Sequence, residues 1–147
     1  MSKIYLDMNI YNRPFDDQTQ VRIRLETIAI FSILQRIKNG DFSLLWSFMI
    51  DYENSLNPYN NIRSEIGMAS SIANETITPD ESILAIARNF EAKGIKSRDA
   101  LHLACALKGE AEYFLTCDDK LIKRASELGI NLNIMNPLRF VEGLEVN

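Results

Sequence analysis

The chain has 147 residues, 46% hydrophobic and 24% charged, enough to bury the core of a single domain spanning 1–147 without disulfide or metal staples. Its net charge of −4 argues against a general DNA coater but not against a nuclease, because two bound Mg²⁺ ions would add about +4 where a phosphate approaches. No apolar run reaches membrane-spanning length, Met1-Ser2-Lys3-Ile4-Tyr5 is no signal peptide, and two unpatterned cysteines suit a reducing cytoplasm, so no membrane partner is expected.

Lys3 to Leu6 reads as a first strand that runs into Asp7. A polar, turn-rich stretch from Asn9 to Gln20 follows. Over 21–38 the residues Val21, Leu25, Ile28, Phe31, Leu34 and Ile37 recur at helical spacing, and Asn39-Gly40 stops the helix. Phe42 to Trp46 is a second strand, with Ser47 placed to cap a helix that ends at Asn57-Pro58. Ile62, Ile66, Ala69 and Ala73 mark another helix, and Glu75 to Ile77 a short third strand. Thr78-Pro79-Asp80-Glu81 predicts a helix start with Thr78 as the cap, and the helix runs to Gly94.

Ser97 is expected to cap the next helix, 98–108, whose apolar residues surround it almost completely, so that it should lie deep in the core. Tyr113 to Thr116 forms a fourth strand and passes through Cys117 into Asp118. Asp118 or Asp119 caps a helix with Gly129 past its end, and Asn131 to Met135 alternates as an edge strand should before Asn136-Pro137 ends it. Strands separated by helices imply right-handed crossovers. The expected architecture is three-layer α/β/α with a central, mostly parallel sheet of about five strands.

Four acids fall where such a sheet binds ligands, at the C-terminal ends of its strands and the adjoining helix starts. Each has a local explanation. Asp7 starts a turn, Asp99 sits in a first helical turn where the macrodipole favours a carboxylate, and Asp118 is an N-cap. Glu53 resists one, because it shares a helix face with Met49, Ile50 and Leu56, and Asp51 lies ~200° away round that helix. Taken together, four carboxylates at one edge would repel one another unless a cation neutralised them. Hard divalent ions take such oxygen donors, and a metal at this edge points to phosphate chemistry. Asn9 and Thr116 are candidates to support the carboxylates, and Arg13, Arg98 and Lys120 to hold a phosphate. Asp119 is a reserve ligand beside Asp118. His102, the one histidine, follows Asp99 on the same side of its helix; a general base is conceivable, but a satisfied polar residue at the helix rim is the simpler reading. The chain has no Gly-rich phosphate loop and no dinucleotide fingerprint. Asn9 stands where an aspartate-nucleophile phosphatase would carry a second aspartate.

In sequence order these segments resemble the PIN-domain family of ribonucleases over nearly the whole chain. Ile4-Tyr5-Leu6-Asp7-Met8-Asn9 is similar to its first strand with the leading aspartate. Ser47-Phe48-Met49-Ile50-Asp51-Tyr52-Glu53 is similar to its capping serine with a glutamate six residues on. Arg98 to Ala104 resembles its third acidic motif, and Phe114 to Asp119 its final strand and acid. The resemblance implies a PIN-like α/β/α domain and an endoribonuclease that uses one or two Mg²⁺ or Mn²⁺ ions on Asp7, Glu53, Asp99 and Asp118. It further implies a homodimer and, in bacteria, often the toxin half of a toxin–antitoxin pair, so that a small antitoxin protein and RNA are the expected partners. The segment Arg13-Pro14-Phe15-Asp16-Asp17 departs from the plainer toxin sequences. The alternative is a catalytically silent PIN-like module that acts through a protein or RNA partner. Surplus apolar residues on the early helices would permit a dimer.

Overall fold

Residues 1–145 are described by a computed structural model whose middle layer is built from five short strands. These are β1 (Lys3–Leu6), β2 (Ser43–Ser47), β3 (Glu75–Ile77), β4 (Tyr113–Leu115) and β5 (Asn133–Met135). All neighbours pair in parallel, in the order β3-β2-β1-β4-β5. The chain first builds outward from β1 through β2 to β3, then returns to place β4 on the other flank of β1. The strand order therefore reverses between β1 and β4, the topological switch where open α/β sheets bind ligands.

Eight helices flank the sheet: α1 (Met8–Asn12), α2 (Val21–Lys38), α3 (Phe48–Ser55), α4 (Asn60–Met68), α5 (Glu81–Ala92), α6 (Ser97–Lys108), α7 (Asp119–Glu127) and α8 (Pro137–Glu145). Strand alternation divides the core in two. Tyr5, Leu45 and Phe114 face α5, α6 and α7, whereas Ile4, Leu6, Leu44, Trp46 and Leu115 face α1, α2, α4 and α8. The all-round apolar helix α6 is buried as its composition demands, and it packs so closely that a Cβ on Gly109 would lie 2.6 Å from Leu45 Cδ1. No described helix is long and apolar enough to cross a membrane.

Four local expectations change. The stretch after Asp7 holds α1 and a 3-10 turn at Arg13–Phe15, because the Asp7 side chain caps α1 and because Met8, Ile10 and Tyr11 are buried. Helix α2 is turned relative to the first part of the expected stripe: Ala29, Ile30 and Ile33 face inward with the expected Leu34 and Ile37, while Val21, Leu25, Ile28 and Phe31 are exposed. Its rotation is set by Glu26, which is buried against Arg13, Arg22 and Asn136. The cap of α5 is Asp80 rather than Thr78, since Asp80 Oδ1 accepts from Ile83 N–H at 2.8 Å. Ser97 opens α6 instead of capping it, its hydroxyl turned to Glu91. Asn136-Pro137 ends β5 as expected, and Pro137 also occupies the first position of α8, where its missing N–H costs nothing, with Asn136 Oδ1 accepting from Leu138 N–H.

Candidate metal centre

Asp7 follows β1 directly and is buried. Its Oδ1 accepts from Met8 N–H at 2.8 Å and its Oδ2 from the Thr116 hydroxyl at 2.9 Å. Asn9 completes this arrangement by donating from Nδ2 to Thr116 Oγ1 and, at 3.3 Å, to Asp7 Oδ2, while its Oδ1 accepts from Cys117 N–H. Thr116 Oγ1 also accepts from Asp118 N–H at 3.2 Å. One side-chain cluster thus ties the end of β1 to the end of β4, with both supporting residues in the places the sequence suggested. Burial outweighs these hydrogen bonds and holds the Asp7 carboxyl above its ordinary range, with Glu53 adding to the effect.

Asp118 caps α7, with Oδ1 accepting from Lys120 and Leu121 N–H. Asp99 lies in the first turn of α6, half-buried, and makes no hydrogen bond among the described residues. Burial first, then the charges of Asp7 and Asp118, push its carboxyl up to about 6. That response places Asp7, Asp99 and Asp118 in one electrostatic environment.

Glu53 reaches the cluster through His102. The imidazole is buried, with Nε2 bonded to Glu53 Oε1 and 3.7 Å from Asp7 Oδ1. Its Nδ1 lies 2.6 Å from the Tyr5 hydroxyl, which is in turn 2.7 Å from Ser47 Oγ, the cap of α3. Burial keeps the Tyr5 phenol protonated far above its normal range. A Tyr5 O–H that donates to Nδ1 leaves the ring proton on Nε2, facing Glu53. His102 is therefore the satisfied polar residue expected, and sequence reasoning missed that it orients an acid. Asp51 points elsewhere and accepts from the Trp46 indole N–H at 2.8 Å.

The remaining candidates divide between residues held by other partners and residues close to the acids. Asp119 is held by Arg22 in a two-pronged pair at 2.7 and 2.8 Å, which lowers its carboxyl below the usual range. Arg13 is engaged by Glu26 and Asp16. Arg98 lies 4.0 Å from Glu53 and over the Tyr52 ring at 5.8 Å. Lys120 lines a small cavity with Asp99 and Asp118.

The donor set matches a hard divalent cation in kind: carboxylate oxygens, one of them a half-buried group with no hydrogen bond and a raised proton affinity. The side chains do not close into a cage, since no three His, Cys, Asp or Glu among the described residues converge at ligating distance. Mutual repulsion explains an open set, and Mg²⁺, which keeps several waters, does not require a closed one.

A family model described as PIN domain matches residues 4–128. No curated protein sequence matches the chain. Among solved structures the fold is similar to that of VapBC-1 from nontypeable Haemophilus influenzae, with a TM-score of 0.60 and 17% identity over 92% of this chain and 98% of that one. It is equally similar to VapBC2 from Rickettsia felis, solved with a DNA fragment from its promoter, with a TM-score of 0.60 and 16% identity over 91% and 98%.

Proposed function

We propose that this chain, which belongs to the PIN-domain family, is a divalent-metal-dependent endoribonuclease of the cytoplasm and the toxin of a toxin–antitoxin pair. One observation supports the nuclease reading: the charges of Asp7 and Asp118 act on Asp99, whose carboxyl is raised to about 6 with no hydrogen bond among the described residues, while His102 is bonded to Glu53 and lies 3.7 Å from Asp7. Asp7, Asp99 and Asp118 would hold one or two Mg²⁺ or Mn²⁺ ions, with Glu53 completing the set directly or through water. When bound, such ions supply Lewis acidity and charge neutralisation at the scissile phosphate.

The protein's own part is positional. Thr116 and Asn9 hold Oδ2 of Asp7, and the Met8 N–H holds Oδ1. His102, aligned by Tyr5, presents its Nε2–H to Glu53 and keeps that carboxylate turned toward the crevice. An unpaired RNA strand suits an open edge of this kind, because its backbone can approach without a duplex to displace.

The toxin reading rests on the resemblance in the four motifs and on fold similarity to two VapBC assemblies. A small antitoxin is the corresponding partner, and a homodimer the corresponding state. The exposed row Val21, Leu25, Ile28 and Phe31 is the surface we assign to protein partners.

Purified protein incubated with single-stranded RNA should cleave it with Mn²⁺ or Mg²⁺ and stop in EDTA. Asp7→Asn and Asp99→Asn should each abolish cleavage while circular dichroism shows an intact fold. Cleavage that persists in EDTA, or near-normal turnover in both variants, would overturn the metal mechanism. Calorimetric binding of Mn²⁺ that Asp7→Asn removes, with no cleavage of any RNA, would favour the silent binding module.

A further inference from the structure

The acidic crevice has a cationic flank on one side. Lys96, from the turn between α5 and α6, and Lys120 and Arg124, from α7, line a cavity of about 170 Å³ whose wall includes Asp99 and Asp118. None of the three makes an ion pair among the described residues. The other cations near the crevice are committed: Arg13 and Arg22 to Glu26, Arg98 to Glu53. In a chain of net charge −4, three unpaired cations grouped beside two of the acids are a local reversal of sign.

The backbone supports this grouping. Gly94 ends α5 with φ +95°, a conformation that disfavours any side chain, and a Cβ there would sit 2.8 Å from Arg124 Nη1. Glycine thus lets the Arg124 guanidinium lie directly against the turn that carries Lys96. The cavity is smaller than the roughly 300–1,000 Å³ of a small-molecule pocket. It admits a group the size of a phosphate, not a whole nucleotide.

We infer that Lys96, Lys120 and Arg124 form a subsite for a backbone phosphate of the RNA, next to the one placed at the acids. The inference deepens the nuclease reading and rests on it for the identity of the strand. Fixing a neighbouring phosphate sets the direction in which the strand crosses the crevice, and it offsets the repulsion that the acids exert on the approaching polyanion. Lys96 and Arg124 carry no motif signal, since only the fold brings the α5–α6 turn against α7.

Two readouts test this. The first is KM for cleavage of a short single-stranded RNA in Mn²⁺; the second is anisotropy of the same labelled RNA in EDTA, which needs no turnover. Both are followed against salt. The triple variant Lys96→Ala, Lys120→Ala, Arg124→Ala should raise KM about tenfold or more. It should also flatten the slope of log affinity against log salt by about 0.7 for each phosphate the protein no longer neutralises. Its kcat should change far less. Arg124→Lys should recover most of the affinity that Arg124→Ala removes, and Lys123→Ala, a cation on α7 outside the cavity, should behave as wild type. Unchanged KM and slope in the triple variant overturn the subsite. Wild-type protein that binds RNA with the full slope but cleaves none leaves the subsite standing and removes the nuclease reading. Wild-type protein that neither binds nor cleaves RNA removes both.

Discussion

Asp99 is the residue whose chemistry can be read most directly. Its carboxyl is raised from 3.8 to about 6, so the folded chain holds that proton more tightly than the unfolded chain does. The resulting stabilisation is complete below about pH 4 and is lost as pH rises through about 6. Asp99→Asn should therefore stabilise the metal-free protein at pH 7 by ~1 kcal/mol, a value discounted because the side chain is partly exposed. Calorimetry in EDTA should show a melting temperature higher by roughly 2–4 °C at pH 7 and no gain at pH 4. A loss at pH 7 would mean that the charges of His102 and Lys96 outweigh burial and the neighbouring acids at this carboxylate. At His102, replacement by leucine removes the donor to Glu53, and turnover should fall roughly 10–100-fold, the usual effect of a group that orients a ligand. His102→Gln keeps an N–H facing Glu53 and should retain most of the activity. Equal losses in both variants would limit His102 to a packing role. Asp7, Asp99 and Asp118 were legible in sequence because each lies at a strand end or helix start marked by local pattern, and Glu53 because it shares a helix face with apolar residues. The Tyr5–His102–Glu53 chain was not, since its members are 97 and 49 residues apart.

Helix α2 shows how a single buried charge orients an element. Two apolar rows run along its first three turns at helical spacing, and there hydrophobicity alone chooses the wrong one. Glu26 decides the matter, because its carboxylate is drawn under Arg13, Arg22 and Asn136 and carries Ile30, Ile33 and Ile37 inward with it. Arg22 extends the same network to Asp119 and to the Cys117 carbonyl, so α2 is fastened to the turn that presents Asp118. Removing the shared carboxylate should be strongly destabilising. Glu26→Ala should lose roughly 3 kcal/mol in urea denaturation, as expected when one member of a buried charge set is deleted and its partners remain. A loss below 1 kcal/mol would show that water replaces the carboxylate and that the network does not set the helix rotation. The sequence offered no sign of this, since Arg22 and Asp119 lie 97 positions apart and Glu26 looks like an ordinary surface glutamate. The capping errors have a related cause. Thr78 and Asp80 both suit an N-cap, and only the path of the chain from β3 selects the later one.

For the whole molecule, the alternation of strands and helices was enough to foresee a parallel sheet and three layers, because binary pattern follows the backbone period. Strand order was not foreseeable, since nothing local states that β4 lies beside β1 and not beyond β3. The α2 rotation also has a consequence at this scale: Val21, Ile28 and Phe31 are 73%, 60% and 57% exposed, a contiguous apolar row that an isolated chain would rarely leave uncovered. Sedimentation should give twice the 16.8 kDa of one chain, and Ile28→Asp with Phe31→Asp should reduce it to the monomer. A wild-type monomer would reserve that row for the second protein.

The strand order also bears on timing. Asp7 and Thr116 are joined across 109 residues, so the hydrogen bonds that fix the first acid cannot form until β4 has been made and inserted beside β1. No segment shorter than 7–118 contains all four acids. If the chain cleaves RNA as proposed, a chain still emerging from the ribosome carries an unfinished site past its own messenger and gains that activity only when the sheet closes.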